Sequence, residues 1–194
     1  MAKLYFRYGA VGSAKTLNLL AVAHNYRQQE KQVLILKPEI DTRFGVGQVR
    51  SRAGLEQEAD MILRDGQAID ESRLPGIDCL LVDEAQFLDP AAVDQLRHIA
   101  SSHNIPVICY GLRTDYRRGL FAGSRRLLEL ADSIEEVKTT CFFCTRKAIF
   151  NLKMIDGRAV GPDDNGPTVD LGCEEKYLPS CAVCYAEKAV SRSR

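Results

Sequence analysis

Apolar residues along this chain gather into short unbroken runs, and between the runs they recur at helical spacing. Leu4-Tyr5-Phe6-Arg7-Tyr8 reads as a strand halted by Gly9. Val33 to Leu36, Ile77 to Val82 and Ile105 to Tyr110 are continuous apolar runs, the pattern of strands covered on both faces. Leu17, Leu20, Ala21 and His24 repeat as one helix face, which predicts a helix from Lys15 to about Gln29. Asp89 followed by Pro90 is an N-cap with proline in the first turn, opening a helix that reaches about His103. A further helix is expected over Leu120 to Ala131, with Leu120, Leu127, Leu128 and Ala131 facing inward. Strands alternating with helices predict an α/β fold, a parallel sheet flanked by helices.

From about Cys141 the alternation stops. Hairpin-like pieces, the turn Ile155-Asp156-Gly157-Arg158 and the cluster Gly161-Pro162-Asp163-Asp164-Asn165-Gly166-Pro167 take its place. The expected organisation is an α/β domain over 1–140, a small lobe over 141–190 and a frayed tail over 191–194. Asp41 to Leu55 holds three glycines and three arginines without periodicity, and reads as a loop that a ligand would order.

Composition narrows the class. At 194 residues and 45% hydrophobic content the chain can build a core, so wholesale disorder is excluded. Twenty-six basic and 26 acidic side chains cancel, leaving no general field for a polyanion. No apolar run approaches the ~20 residues needed to cross a bilayer, and the first residues lack the shape of a signal peptide. A cytoplasmic protein is expected, with no membrane partner and no stably bound nucleic acid.

After the first strand comes Gly9-Ala10-Val11-Gly12-Ser13-Ala14-Lys15-Thr16, followed directly by a helix. This approximates the phosphate-binding loop Gly-x4-Gly-Lys-[Ser/Thr] in its strand–loop–helix context. Loop N–H groups and the positive helix end converge on phosphate oxygens; Lys15 would reach the β and γ phosphates and Thr16 would ligate Mg²⁺. Ala14 stands where glycine usually precedes the lysine, and its methyl group is expected to crowd the phosphates. About 70 residues on, Leu80-Leu81-Val82-Asp83-Glu84 is an apolar strand ending in two carboxylates, the Walker B arrangement that holds the Mg²⁺ shell. Either motif alone has a bland reading, as a glycine turn or a solvated acidic pair. Together and in this order they predict a P-loop NTPase-type nucleotide site at the carboxyl ends of the strands.

Seven cysteines include two Cys-x-x-Cys pairs, Cys141/Cys144 and Cys181/Cys184, separated by 36 residues. Four thiolates at zinc-ribbon spacing fill a tetrahedral Zn²⁺ shell and leave no place for an activated water, so the expected metal is structural. Cys79 and Cys109 lie in apolar runs and Cys173 in a loop, and packing is their expected role.

Several segments then become specific: Tyr5-Phe6-Arg7-Tyr8-Gly9, Glu39-Ile40-Asp41-Thr42-Arg43-Phe44, Val82-Asp83-Glu84-Ala85-Gln86-Phe87, Tyr110-Gly111-Leu112-Arg113-Thr114-Asp115-Tyr116 and Glu175-Lys176-Tyr177-Leu178-Pro179-Ser180-Cys181. In order, from residue 3 to about 188, they resemble the type II thymidine kinases, the cytosolic and bacterial kind. The resemblance implies ATP-dependent phosphorylation of the thymidine 5′-hydroxyl by a homotetramer. It places Gly9 to Thr16, Arg43, Asp83 and Gln86 with ATP and Mg²⁺, and makes Glu84 the general base. It also implies a thymidine pocket of Phe87, Leu112, Tyr116, Phe121, the backbone of Thr168, Val169, Asp170, Leu171 and Gly172, and Tyr177. Asn151 would lie near the thymine methyl, and Lys153 where some relatives carry arginine near the nucleotide.

Two other classes stay open at this point. Asp83-Glu84-Ala85-Gln86 beside a zinc ribbon also suits a DNA-stimulated ATPase, against which the zero net charge counts. A zinc-dependent binding module with a degenerate phosphate loop would rest on Ala14.

Overall fold

The structure is a computed structural model that describes residues 1–42, 45, 47–162 and 177–189. Its main sheet has six strands, all parallel: β1 (Leu4–Tyr8), β2 (Val33–Pro38), β5 (Met61–Leu63), β6 (Cys79–Val82), β7 (Val107–Gly111) and β8 (Ser133–Glu136), in the spatial order β5-β2-β6-β7-β1-β8. Successive side chains of a strand point to opposite faces, and the core divides accordingly. Leu4, Phe6, Leu34, Leu36, Leu80, Val82, Val107 and Cys109 pack on one face with Val93, Leu96 and Ile99 of helix α2 (Pro90–Ser102) and Leu127 of helix α3 (Ala122–Leu130). Val33, Ile35, Cys79, Leu81, Ile108 and Tyr110 pack on the other with Leu19, Leu20 and Ala23 of helix α1 (Lys15–Gln28). This is the α/β arrangement the alternating pattern predicts, with helices on both faces.

Asp89 caps α2 as its sequence implies, its carboxylate accepting the Ala92 N–H at 2.7 Å. Helix α1 buries Leu19, Leu20 and Ala23, whereas Ala21 and His24 are exposed. Two overlapping apolar frames run through this leucine-rich stretch, and the phosphate loop decides between them by fixing where Lys15 and Thr16 point. Leu120 is likewise 40% exposed, because α3 starts two residues later with Phe121 as its N-cap. Asp41 to Leu55 is not wholly loop: β3 (Gln48–Arg50) and β4 (Glu56–Glu58) form an antiparallel hairpin. Strands of three residues with charged side chains carry no periodicity to read.

Beyond residue 140, β9 (Phe150–Ile155) is the centre of an antiparallel three-stranded sheet, flanked by β10 (Arg158–Val160) and β11 (Tyr177–Ser180). Asp156 and Gly157 both take positive φ, 49° and 74°, which suits the two-residue turn between β9 and β10. A short helix, α4 (Ala182–Lys188), closes the described chain. The expected tail 191–194 lies outside the described residues.

Candidate active site

All six main-sheet strands present their carboxyl ends to one edge, where open α/β sheets bind ligands. The loop from β1 into α1 and the carboxylates that end β6 meet there, with β7 between their strands. Gly9 has no room for a side chain: a Cβ would stand 2.4 Å from both Ser13 Oγ and the Val137 carbonyl. Gly12 turns the loop at φ 76°. Lys15 is 9% exposed, and its Nζ donates to the carbonyls of Gly9 (3.1 Å) and Ala10 (3.0 Å) and to Ser13 Oγ (3.3 Å). Thr16 Oγ1 donates to the Asp83 carboxylate at 3.2 and 3.3 Å, a contact across 67 residues that joins the two nucleotide motifs.

Ala14 takes φ 63°, ψ 27°, the left-handed region, as N-cap of α1, and its side chain is exposed. The methyl expected to crowd the phosphates therefore acts chiefly on the backbone. Glycine reaches this conformation without penalty, while an L residue loses roughly 1–2 kcal/mol.

Glu84 is also left-handed, at φ 49°, ψ 38°, where β6 breaks into the 3₁₀ turn Ala85–Phe87. The surroundings hold it there. Gln86 is 2% exposed and donates through Nε2 to Glu84 Oε2 at 2.5 Å, while its Oε1 accepts the Leu112 N–H at 2.9 Å. Gln86 thus ties the acid to the end of β7. Gly111 and Gly123 permit the approach: a Cβ on Gly111 would lie 2.7 Å from Gln86 Oε1, and one on Gly123 2.6 Å from the Ala85 and Leu88 carbonyls. Ser124 Oγ donates to the Leu112 carbonyl at 2.5 Å, so α3 braces the same segment.

A cavity of about 310 Å³ opens over this edge, lined by Val11 to Leu17, Glu84 and Leu112, and on its far side by Arg50, Ser51, Arg52 and Ala53 of the hairpin tip. The structure thereby brings the phosphate loop, the strand-end acid and Leu112 to one space. It adds a hairpin wall whose only sequence signal was a cluster of arginines without period.

The aromatic residues expected in the thymidine pocket form two pairs, neither of which lines this cavity. Phe87 and Phe121 meet edge to face at 5.8 Å, and Tyr116 and Tyr177 lie 6.4 Å apart. Tyr116 is 1% exposed, with Lys153 Nζ 4.9 Å from its ring centroid and the Tyr185 hydroxyl donating to its carbonyl. Arg43 and the segment from Thr168 to Gly172 lie outside the described residues. The amide of Asn151 is hydrogen-bonded on both sides. Its Oδ1 accepts the Val11 N–H at 2.8 Å and its Nδ2 donates to the Thr114 carbonyl at 3.2 Å.

Cys141, Cys144, Cys181 and Cys184 bring four sulfurs within 4.8 Å of one another. The Cys144–Cys181 and Cys144–Cys184 separations are 3.7 and 3.6 Å, close to the ~3.8 Å edge of a tetrahedron with Zn–S bonds of ~2.3 Å. The Phe143 and Cys184 N–H groups donate to Cys141 Sγ and Cys181 Sγ, both at 3.4 Å. Burial raises the Cys141 thiol, but N–H donors and the Cys144 thiol outweigh it and bring it down to about 6. Burial together with the neighbouring thiols pushes Cys184 up to about 12. The Cys184 N–H lowers the Cys181 thiol as well, and four sulfurs at this spacing form a donor set that fits Zn²⁺. A second group of ligand-type residues, Glu71, His98 and His103, lies by the end of α2, away from the phosphate loop. There Glu71 pairs with Gln95 and His103.

The sequence model of the thymidine kinase family matches residues 2–185. The chain belongs to that family. Thymidine kinases of Lactiplantibacillus plantarum and Lactococcus lactis are 46% and 43% identical to it over 187 residues, covering 95% of this chain and 96% and 97% of theirs. That of Listeria monocytogenes is 43% identical over 192 residues, covering 98% of this chain and 100% of its own. Among solved structures, the Pif1 helicase of Candida albicans matches 70% of this chain and 36% of its own at 14% identity with a TM-score of 0.41, too slight a likeness to bear on function. Among the described residues no helix is long and apolar enough to cross a membrane.

Proposed function

We propose that this chain transfers the γ-phosphate of ATP to the 5′-hydroxyl of thymidine, giving dTMP and ADP. The contact of Thr16 with Asp83 carries the reading, because it joins the phosphate loop to the strand end whose next residue, Glu84, lines the same cavity as the loop. Phosphoryl transfer needs in-line positioning and charge neutralisation more than covalent help. Lys15 and the loop N–H groups hold the phosphates, and Thr16 and Asp83 supply the hard oxygens that suit Mg²⁺. When bound, that ion neutralises charge on the β and γ phosphates.

The 5′-oxygen bonds to the γ-phosphorus as the bond from that phosphorus to the bridging β–γ oxygen breaks. The hydroxyl proton passes to the Glu84 carboxylate, held by Gln86, and from there to solvent. An alcohol is a very weak acid, so Glu84 orients it early and takes its proton late. Thymidine would sit among Leu112, Phe87, Phe121, Tyr116 and Tyr177, closed by Thr168, Val169, Asp170, Leu171 and Gly172. Arg43 would approach the phosphates, and the four cysteines would hold a structural Zn²⁺ that staples the lobe. We further propose a cytoplasmic homotetramer with no stably bound nucleic acid.

The test is ADP release with Mg²⁺, ATP and thymidine, compared with deoxyuridine and deoxycytidine. Thymidine-dependent release supports the reading. Release stimulated by single-stranded DNA and indifferent to thymidine would replace it with the ATPase alternative, which the family assignment does not favour.

A further inference from the structure

We propose that Arg52, at the tip of the β3–β4 hairpin, supplies a further cation, beside Lys15 and Arg43, to the terminal phosphates of ATP. The inference rests on the kinase reading above and adds a nucleotide-binding residue to it.

Three features place the guanidinium there. Arg52 lines the cavity that holds the phosphate loop and Glu84, and a Cβ built on Gly12 would stand 3.5 Å from its Nη1. Its side chain therefore reaches over the loop's left-handed glycine. The tip is also closed by its own hydrogen bonds. Ser51 is 4% exposed; its N–H donates to the Leu55 carbonyl at 2.8 Å and its Oγ accepts the Leu55 N–H at 3.1 Å. Gly54 adds a bond to the Ser51 carbonyl at 3.0 Å from a left-handed conformation, φ 87°. Residue 52 is thus presented by a defined turn.

The hairpin itself is braced against the body. Val49 is 1% exposed in the core cluster around α1, and Arg27 Nη1 donates to Gln57 Oε1 at 2.6 Å. Buried Lys37, paired with Asp41 at 3.1 Å, donates to the Gln48 carbonyl at 2.6 Å.

Arg50 lines the same cavity, and its Nε pairs with Glu56 across the hairpin at 3.7 Å. Arginine suits the task, since its planar fork matches two phosphate oxygens at once and a lysine offers only a point charge. Charge on the transferring phosphoryl group is the quantity this chemistry must neutralise.

The experiment measures binding of ATP, ADP and AMP by calorimetry, and thymidine-dependent turnover, for the parent enzyme, Arg52→Ala and Arg52→Lys. Arg52→Ala is expected to weaken ATP binding ~10- to 100-fold while AMP binding changes little, as for loss of a charged hydrogen bond to the distal phosphates. Arg52→Lys should fall between, and the KM for thymidine should stay near the parent value. ATP affinity of Arg52→Ala within twofold of the parent would overturn the proposal. So would equal loss for ATP and AMP, which would mean that the hairpin had collapsed. A parent enzyme that binds ATP but releases no ADP with thymidine would defeat the kinase reading instead, leaving the ATP-to-AMP comparison to judge Arg52 separately.

Discussion

Asn151 on β9 accepts the Val11 N–H of the phosphate loop at 2.8 Å and donates to the Thr114 carbonyl at 3.2 Å, so one 4% exposed amide joins the cysteine-bearing lobe, the phosphate loop and the segment after β7. Removing it strands the buried Thr114 carbonyl and leaves the half-buried Val11 N–H without this partner. Asn151→Ala is expected to destabilise the protein by about 1–3 kcal/mol, read as a fall in Tm. Because Val11 belongs to the loop, the KM for ATP should rise as well. An unchanged Tm together with an unchanged KM would remove Asn151 from this bridging role.

Ala14 offers the opposite sign. Its left-handed backbone at φ 63° disfavours any side chain, while glycine loses more freedom on folding. Ala14→Gly is therefore expected to stabilise the protein by about 0.5–1 kcal/mol, a Tm rise of about 1–4 °C. Calorimetric melting decides it, and a lower Tm would mean that the loop relaxes around alanine.

Thiol reactivity should divide the six described cysteines into two sets. Burial raises Cys79 to about 11, with the Tyr26 hydroxyl lowering it in part, and burial also raises Cys109; both are fully buried in the main sheet. Chelation of bound metal at pH 8 should expose Cys141, Cys144, Cys181 and Cys184 to alkylation while Cys79 and Cys109 stay unlabelled until the protein unfolds. Peptide mapping by mass spectrometry reads this directly. Cys144→Ser should lower zinc content and speed hydrogen exchange in β9 and α4, and full zinc occupancy in that variant would contradict the four-cysteine shell.

What the sequence made legible is what is local. The phosphate loop, the strand ending in Asp83-Glu84, the capped α2 and the doubled cysteine pairs each carry their chemistry within a few residues. Their meeting at one sheet edge follows from parallel strands, which all deliver their carboxyl ends to the same side. The parts that could not be read depend on partners distant in sequence. Helix α1 had two apolar frames, and only the tethered loop selects Leu19, Leu20 and Ala23. The β3–β4 hairpin is three residues a strand and charged, so its arginine-bearing tip showed only as composition. Gln86 stood in the motif, but its hold on Glu84 depends on the Leu112 N–H, 26 residues away. Asn151 meets the Val11 N–H across 140 residues, a contact that no local pattern announces.

Turnover of Glu84→Gln, measured beside its ATP affinity, tests the central claim most directly. The amide is nearly the same size as the carboxylate and cannot take the hydroxyl proton, so thymidine-dependent turnover should fall about 10²- to 10⁴-fold while ATP binds as in the parent. Turnover within a few-fold of the parent would contradict the account, because the acid that Gln86 holds at 2.5 Å would then not be the group that receives the proton.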